Sequence, residues 1–117
     1  MLEEKAKELG RLIGQSSEYQ TLKRASDGLS EDRDSVALLK EMERLRSEAQ
    51  QMIQRGENPT EEMEQQLDTM LENIQVQSAY QRAVAAQENF DKVMLRVNQW
   101  IMDGMKKGAA SPIIKLS

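Results

Sequence analysis

Apolar residues recur every three or four positions along most of the chain, which is the spacing of one face of an α-helix. The first such series consists of Leu2, Ala6, Leu9, Leu12 and Ile13. This series predicts a helix over residues 2–14. A second helix is predicted over residues 17–27, because Ser16 or Ser17 suits its N-cap and Gly28 suits the position just after its last turn.

A third helix is predicted over residues 31–55. Its inward series consists of Leu38, Met42, Leu45, Ala49 and Met52. Spacings of four and three alternate along this series, which is the pattern of a heptad seam. The third helix should therefore pack lengthwise against another helix.

The fourth predicted helix is the longest and covers residues 59–106, since neither Gly nor Pro interrupts residues 60–103. It carries two apolar series: Met63, Leu67, Met70 and Ile74, then Val76, Tyr80, Ala83, Gln87, Phe90, Met94, Val97 and Ile101. The second series is one residue out of phase with the first. The helix therefore either presents a broad apolar face or bends near residues 75–79.

The stretch between the third and fourth helices reads as a corner. Gly56 suits the left-handed position that follows a helix. Asn58 is one candidate N-cap of the next helix, with Pro59 in its first position, and Thr60 is the competing candidate. This corner predicts an antiparallel helical hairpin.

The predicted fold is all-α: a helical bundle built on this long antiparallel hairpin, with two short N-terminal helices. Residues 1–108 are predicted to form a single helical domain, and residues 109–117 are predicted to form a flexible C-terminal tail. The third helix is about half as long as the fourth, so in a hairpin it covers the fourth only to about residue 84. Helices one and two could cover part of the apolar stripe beyond that point, and a second copy of the chain could cover the rest in a homodimer or higher homo-oligomer.

The candidate interface lies on the second half of the fourth helix. It consists of Tyr80, Phe90, Met94, Val97, Trp100 and Ile101. The large side chain of Trp100 suits an anchor of such a contact. Part of this set is expected to belong to the core of a single chain instead.

Composition argues against several classes of function. The net charge is −4, and no more than two basic residues are adjacent anywhere, as in Lys106-Lys107, which disfavours direct nucleic-acid binding. The chain has no Cys and no His, so it lacks the usual ligands of zinc and iron–sulfur clusters and the usual catalytic thiol and imidazole. No apolar run reaches the length of a membrane span, and no signal-peptide core opens the chain, so a cytoplasmic location is expected.

An acidic run is the remaining candidate for chemistry. It consists of Glu57, Glu61, Glu62, Glu64, Asp68 and Glu72. Carboxylates could bind a hard cation, but they also suit the first turns of a helix and its solvated face, and the second reading is preferred. No metal, cofactor or enzymatic activity is expected.

Three stretches together resemble a known family: "SSEYQTLKRASDGLSED" (16–32), "QQMIQRGENPTEE" (50–62) and "VQSAYQRAVAAQENFDKVMLRVNQWI" (76–101). In order and pattern they are similar to the YlbF/YmcA family of small bacterial helical proteins, including its YheA-like branch. The resemblance implies an all-α fold with long helices that associate as homo- or hetero-oligomers. It also implies non-enzymatic regulation of competence, sporulation and biofilm formation, in a complex linked to mRNA processing.

That family complex carries iron–sulfur clusters on cysteines, and this chain has no cysteine. The cluster-binding property therefore does not transfer, and the chain is closer to the YheA-like members. The expected function is a cytoplasmic adaptor that binds other proteins. The alternative is a structural or chaperone-like helical protein that holds apolar segments of clients.

Overall fold

The computed structural model describes residues 1–110, and all the secondary-structure elements in this part are α-helices. The helices are α1 (Leu2–Gly14), α2 (Ser17–Glu31), α3 (Arg33–Gln54), α4 (Glu61–Gln75) and α5 (Ser78–Ala109). The predicted all-α class is confirmed. The predicted flexible tail lies outside the described residues from position 111 onward, and Ala109 is still part of α5.

The corner between α1 and α2 is fixed by two side chains. The hydroxyl of Ser16 accepts a hydrogen bond from the Tyr19 amide at 3.2 Å, so Ser16 is the N-cap of α2. The Gln20 amide group donates to the Gly14 carbonyl oxygen at 2.8 Å, which satisfies an orphan carbonyl at the end of α1. The direction in which α1 leaves α2 is therefore set locally.

The second helix ends four residues later than the sequence predicts. Gly28 lies inside α2, which continues to Glu31. The stop is at Asp32, whose extended backbone ends α2 while its carboxylate caps α3 by accepting from the Ser35 amide at 3.3 Å. The end of α2 is therefore set by Asp32, which caps the next helix, and not by Gly28, which only permits a helix to end.

The corner between α3 and α4 follows the predicted chemistry. Gly56 has φ of +80°, and its amide donates to Ile53 while that of Glu57 donates to Met52, which is the Schellman pattern. Thr60 rather than Asn58 is the N-cap of α4, because its hydroxyl accepts from the Met63 amide at 3.1 Å.

The long fourth helix of the prediction is two helices. The chain breaks between α4 and α5 at Val76 and Gln77, within the range where the sequence left a bend open. Gln77 is extended, with φ −74° and ψ 123°, and its side chain makes no capping hydrogen bond. The Gln81 amide group donates to the Gln75 carbonyl oxygen at 2.8 Å, just as Gln20 does to Gly14 at the first corner.

These two corners share the sequence Ser-x-Tyr-Gln at the start of the second helix, in residues 17–20 and 78–81. In both, the glutamine reaches back six residues to a carbonyl at the end of the preceding helix. The same local hydrogen-bonding arrangement therefore occurs at both the α1–α2 corner and the α4–α5 corner. It differs between the two sites in its N-cap, which is Ser16 in one and Gln77 in the other.

Packing joins α2 to α5 and α3 to α4, and α2 also contacts α3. Within residues 1–110, the buried apolar side chains are Met42, Leu45, Ile74, Ala86 and Val97. Ser35 is buried with them and donates its hydroxyl to Asp32. Five buried apolar side chains make a small core for a chain of this length. A typical buried core residue contacts six or more others, so five residues cannot surround one another completely.

Candidate interaction surface

The first half of α5 is covered by α2. Tyr19 of α2 meets Phe90 of α5 edge to face, with ring centroids 5.4 Å apart and an angle of 62° between the rings. Ala86 is buried one helical turn before Phe90. Small residues in this part of α5 allow α2 to approach closely, and the aromatic pair fixes the register of the two helices.

A groove of about 530 Å³ remains between α2 and α5. Its floor includes Ala25, Ala79 and Ala86, and the side chains of Arg24 and Arg82 line it as well. The groove is open to solvent along the two helices. It therefore has the shape of a helix–helix furrow and not of an enclosed substrate pocket.

The six candidate interface residues divide into two groups. Tyr80, Phe90 and Met94 are half-buried and Val97 is only 5% exposed, so a single chain already uses them. Trp100 is 64% exposed and Ile101 is 43% exposed. The part of the candidate interface that is free in one chain is therefore its C-terminal end.

This free end forms a continuous surface, which we call the α5 terminal face. It consists of Trp100, Ile101, Gly104, Met105 and Gly108. At about 100° per residue, these positions continue the face of α5 that carries Ala86, Phe90 and Val97. All residues from 98 to 110 are exposed, so the core face of α5 runs on into solvent.

Helix α1 presents a second free apolar surface. Leu2, Ala6, Leu9 and Ile13 lie on one face of α1; Leu2 is 85% exposed, whereas Leu9 and Ile13 are half-buried. All residues from 1 to 8 are exposed. The candidate interface did not include this helix or Met105. The apolar spacing of residues 2–13 predicted the helix but did not decide what its apolar face contacts.

The overall dimensions show that the chain is elongated rather than compact. The Cα radius of gyration is 21.5 Å, and the molecule measures 67 × 37 × 19 Å. A compact domain of this length has a radius of gyration of about 13 Å. One chain therefore adopts an elongated shape that leaves its amphipathic helices only partly covered.

The start of α1 and the end of α5 carry opposite charges. The first turn of α1 carries Glu3 and Glu4, and the last turn of α5 carries Lys106 and Lys107. Each pair suits the dipole of its own helix. Glu3 is also paired within α1, since Lys7 Nζ lies 2.8 Å from its carboxylate.

The ion pair between Glu41 and Arg44 shifts the pKa of both side chains. Hydrogen bonds from Arg44 lower the pKa of Glu41, and the same contact raises the pKa of Arg44. Because the carboxyl pKa is lower in the folded state, this stabilisation is present above the ordinary pKa of glutamate and is lost as the pH falls through the lowered value. Both side chains are well exposed, so the contribution is small.

The acidic run on α4 stays a surface feature within the described part of the chain. Glu61, Glu62 and Glu64 lie in the first turn of α4, where they suit the helix dipole. Residues 1–110 contain no group of three or more acidic side chains arranged to hold a metal ion. The same residues also contain no helix with the length and apolar character needed to cross a bilayer.

Comparison with protein families gives a match over nearly the whole chain. The family described as "Control of competence regulator ComK, YlbF/YmcA" matches residues 2–106. A UPF0342 protein of Limosilactobacillus reuteri (strain DSM 20016) is 23% identical over 96 residues, which cover 82% of this chain and 78% of that protein. The UPF0342 protein of L. reuteri subsp. reuteri (strain JCM 1112) matches to the same extent.

Among solved structures, a chain in the crystal structure of Bacillus subtilis RicA in complex with RicF has a similar fold. The TM-score is 0.78, and the alignment covers 92% of this chain and 96% of that chain. Sequence identity is 14%, so this likeness concerns the fold alone.

Proposed function

Because the chain belongs to the YlbF/YmcA family, we propose that it is a non-enzymatic cytoplasmic adaptor that acts by binding other protein chains. The observation that carries this proposal is the free α5 terminal face. It continues the core face of α5 into solvent over residues 98–110. Apolar surface of this kind in a folded protein is typical of an interaction site.

A protein partner is the kind of ligand that suits this surface. The face is convex and lies on one helix, whereas small-molecule sites are concave and enclosed. Trp100 has the size and amphipathic character of an interface anchor. The presence of the similar fold in a complex of RicA with RicF supports the same kind of role.

We further propose that the first partner is a second copy of the chain, in a homodimer. Two-fold pairing is the commonest way to cover a single exposed face. Of the six candidate residues, Trp100 and Ile101 would lie in the dimer contact, while Phe90 and Val97 would support the face from within each chain.

Two variants of matched exposure test the homodimer. Trp100→Glu places a carboxylate on the α5 terminal face, whereas Leu95→Glu places one about 140° away around the same helix. Leu95 is 61% exposed, close to the 64% of Trp100. In light-scattering chromatography at micromolar concentration, we expect the wild type and Leu95→Glu to be dimers and Trp100→Glu to be a monomer, with circular dichroism unchanged in all three.

A dimeric Trp100→Glu variant would contradict the proposed contact, and a monomeric wild type would contradict the homodimer. Capture from a lysate of the source organism then tests the adaptor role against the chaperone-like alternative. An adaptor retains a few folded proteins in fixed proportions, and Trp100→Glu loses them. A holding chaperone retains a broad mixture that grows when the lysate is heated.

A further inference from the structure

We infer that α1 of one copy packs along the α5 terminal face of a second copy, so that the two chains exchange their first helices. This inference rests on the proposed homodimer and states which elements form it. It begins from the two apolar surfaces that a single chain leaves free, on residues 1–8 and 98–110.

The two surfaces match in length and shape. Helix α1 has 13 residues, about 20 Å, and the exposed end of α5 from residue 98 to Ala109 is about 18 Å long. Gly104 and Gly108 lie on the α5 terminal face with open space beside them. The resulting hollows between Trp100, Ile101 and Met105 can receive the leucines of α1.

Charge selects the direction of the contact. If α1 runs antiparallel to α5, its acidic first turn, with Glu3 and Glu4, comes level with the basic last turn of the other chain's α5, with Lys106 and Lys107. In the parallel direction, the acidic turn would lie near the middle of α5 and the lysines would face the Arg11 end of α1. The attraction between the acidic turn and the basic turn therefore favours the antiparallel arrangement.

The structure of the first corner explains why a chain does not cover its own α5 terminal face. The Ser16 cap and the hydrogen bond from Gln20 to Gly14 fix the angle between α1 and α2. Exposure on α1 rises from the half-buried Leu9 and Ile13 to Leu2, so the helix leaves the body of its own chain. Its free end is available to a neighbour.

The surface available is ample for a stable dimer. The chain exposes 9386 Å². A compact monomer of 13.4 kDa exposes about 6,500 Å². The excess is larger than the roughly 800 Å² that each partner buries in a standard interface. Two-fold symmetry gives each dimer two identical α1–α5 contacts, and each chain both donates and receives a helix.

The chain has no cysteine, so introduced cysteines report contacts without background. We would place Ala6→Cys in a chain with one tag and Ile101→Cys in a chain with a tag of different size. The two are unfolded together, refolded and treated with a short bismaleimide. The control replaces Ala6→Cys with Arg11→Cys, which lies on the opposite side of α1.

We expect the Ala6→Cys and Ile101→Cys pair to give at least about tenfold more mixed cross-linked dimer than the control pair, because proximity raises the effective concentration of the two thiols. Circular dichroism of each variant verifies folding. If light scattering shows dimers but the mixed cross-link is no stronger than the control, the helix exchange is wrong and the homodimer stands.

The double variant Ala6→Cys/Ile101→Cys separates exchange from self-closure. A cross-link within one chain, without cross-linking between chains, would mean that α1 folds back onto its own α5, which overturns the inference. A wild type that is monomeric at every concentration would overturn both the exchange and the homodimer.

Discussion

At the scale of single residues, the corner between α3 and α4 shows how closely local chemistry follows the sequence. Gly56 adopts the positive φ that most side chains avoid, and the two amide hydrogen bonds around it close the end of α3. Four residues after Gly56, Thr60 is the N-cap of α4. All of these interactions join residues within five positions of one another, so the sequence alone predicts the corner.

Thr60→Ala tests the cap of α4. We expect a loss of about 1 kcal/mol in the free energy of unfolding, because the Met63 amide loses its hydrogen-bond acceptor. Asn58→Ala is the matched control and should change stability by much less, since Thr60 holds the cap position. Urea denaturation measures both. Equal losses for the two variants would show that Asn58 shares the capping role.

The choice between Asn58 and Thr60 could not be predicted, because both residue types cap helices well and two positions separate them. The position of Gly28 was misjudged for a related reason. A glycine permits a helix to end but does not require it, and the capping carboxylate at Asp32 decides the boundary of α2.

At the scale of helices, the break between α4 and α5 is the main departure from the sequence pattern. Residues 60–103 contain no Gly or Pro, so local preference alone predicts one helix. The only signal was the change of phase between two apolar series. Ile74 is fully buried just before the break, whereas Val76 within it is 73% exposed. Tertiary packing around Ile74 therefore decides where the helix stops.

The first corner suggests how to strengthen the second. Gln77 occupies the N-cap position of α5 without a capping hydrogen bond, in a backbone conformation close to that of Ser16. Gln77→Ser should let a hydroxyl accept from the Tyr80 amide and raise the free energy of unfolding by about 0.5–1 kcal/mol. The reverse change at the first corner, Ser16→Gln, should lower it by a similar amount. A loss of stability in Gln77→Ser would indicate that α4 and α5 form one continuous helix in solution.

At the scale of the whole molecule, the small core and the extended shape lead us to expect that association contributes a large part of the stability. The proposed interface rests in part on the sequence, because an apolar stripe longer than its partner helix should contact another surface. Trp100 and Ile101 belong to the proposed interface on this basis. The sequence did not predict that the exposed part of the stripe begins after Val97, because the crossing of α2 and α1 over α5 depends on the geometry of the corners. The proposed exchange of α1 was not predicted for the same reason.

Thermal unfolding should therefore depend on protein concentration. A ligand or partner that binds only the folded state raises its melting temperature by mass action. For a dimer of two 117-residue chains, with about 2 cal/mol/K of unfolding entropy per residue, tenfold dilution should lower the melting temperature by about 3 °C. Trp100→Glu should melt at a lower temperature that no longer varies with dilution. A wild-type melting temperature that stays constant over a hundredfold range would rule out the coupling.

The five-residue core has a consequence for the amount of this protein in a cell. A newly made chain that is still monomeric exposes α1 and the end of α5. Helices with few buried contacts unfold locally often enough for proteases to cut them. In the proposed homodimer these segments would be covered, and we expect the paired chain to be degraded more slowly. The steady-state level of the protein should then follow the supply of whatever it pairs with, and copies made in excess should be degraded rather than accumulate.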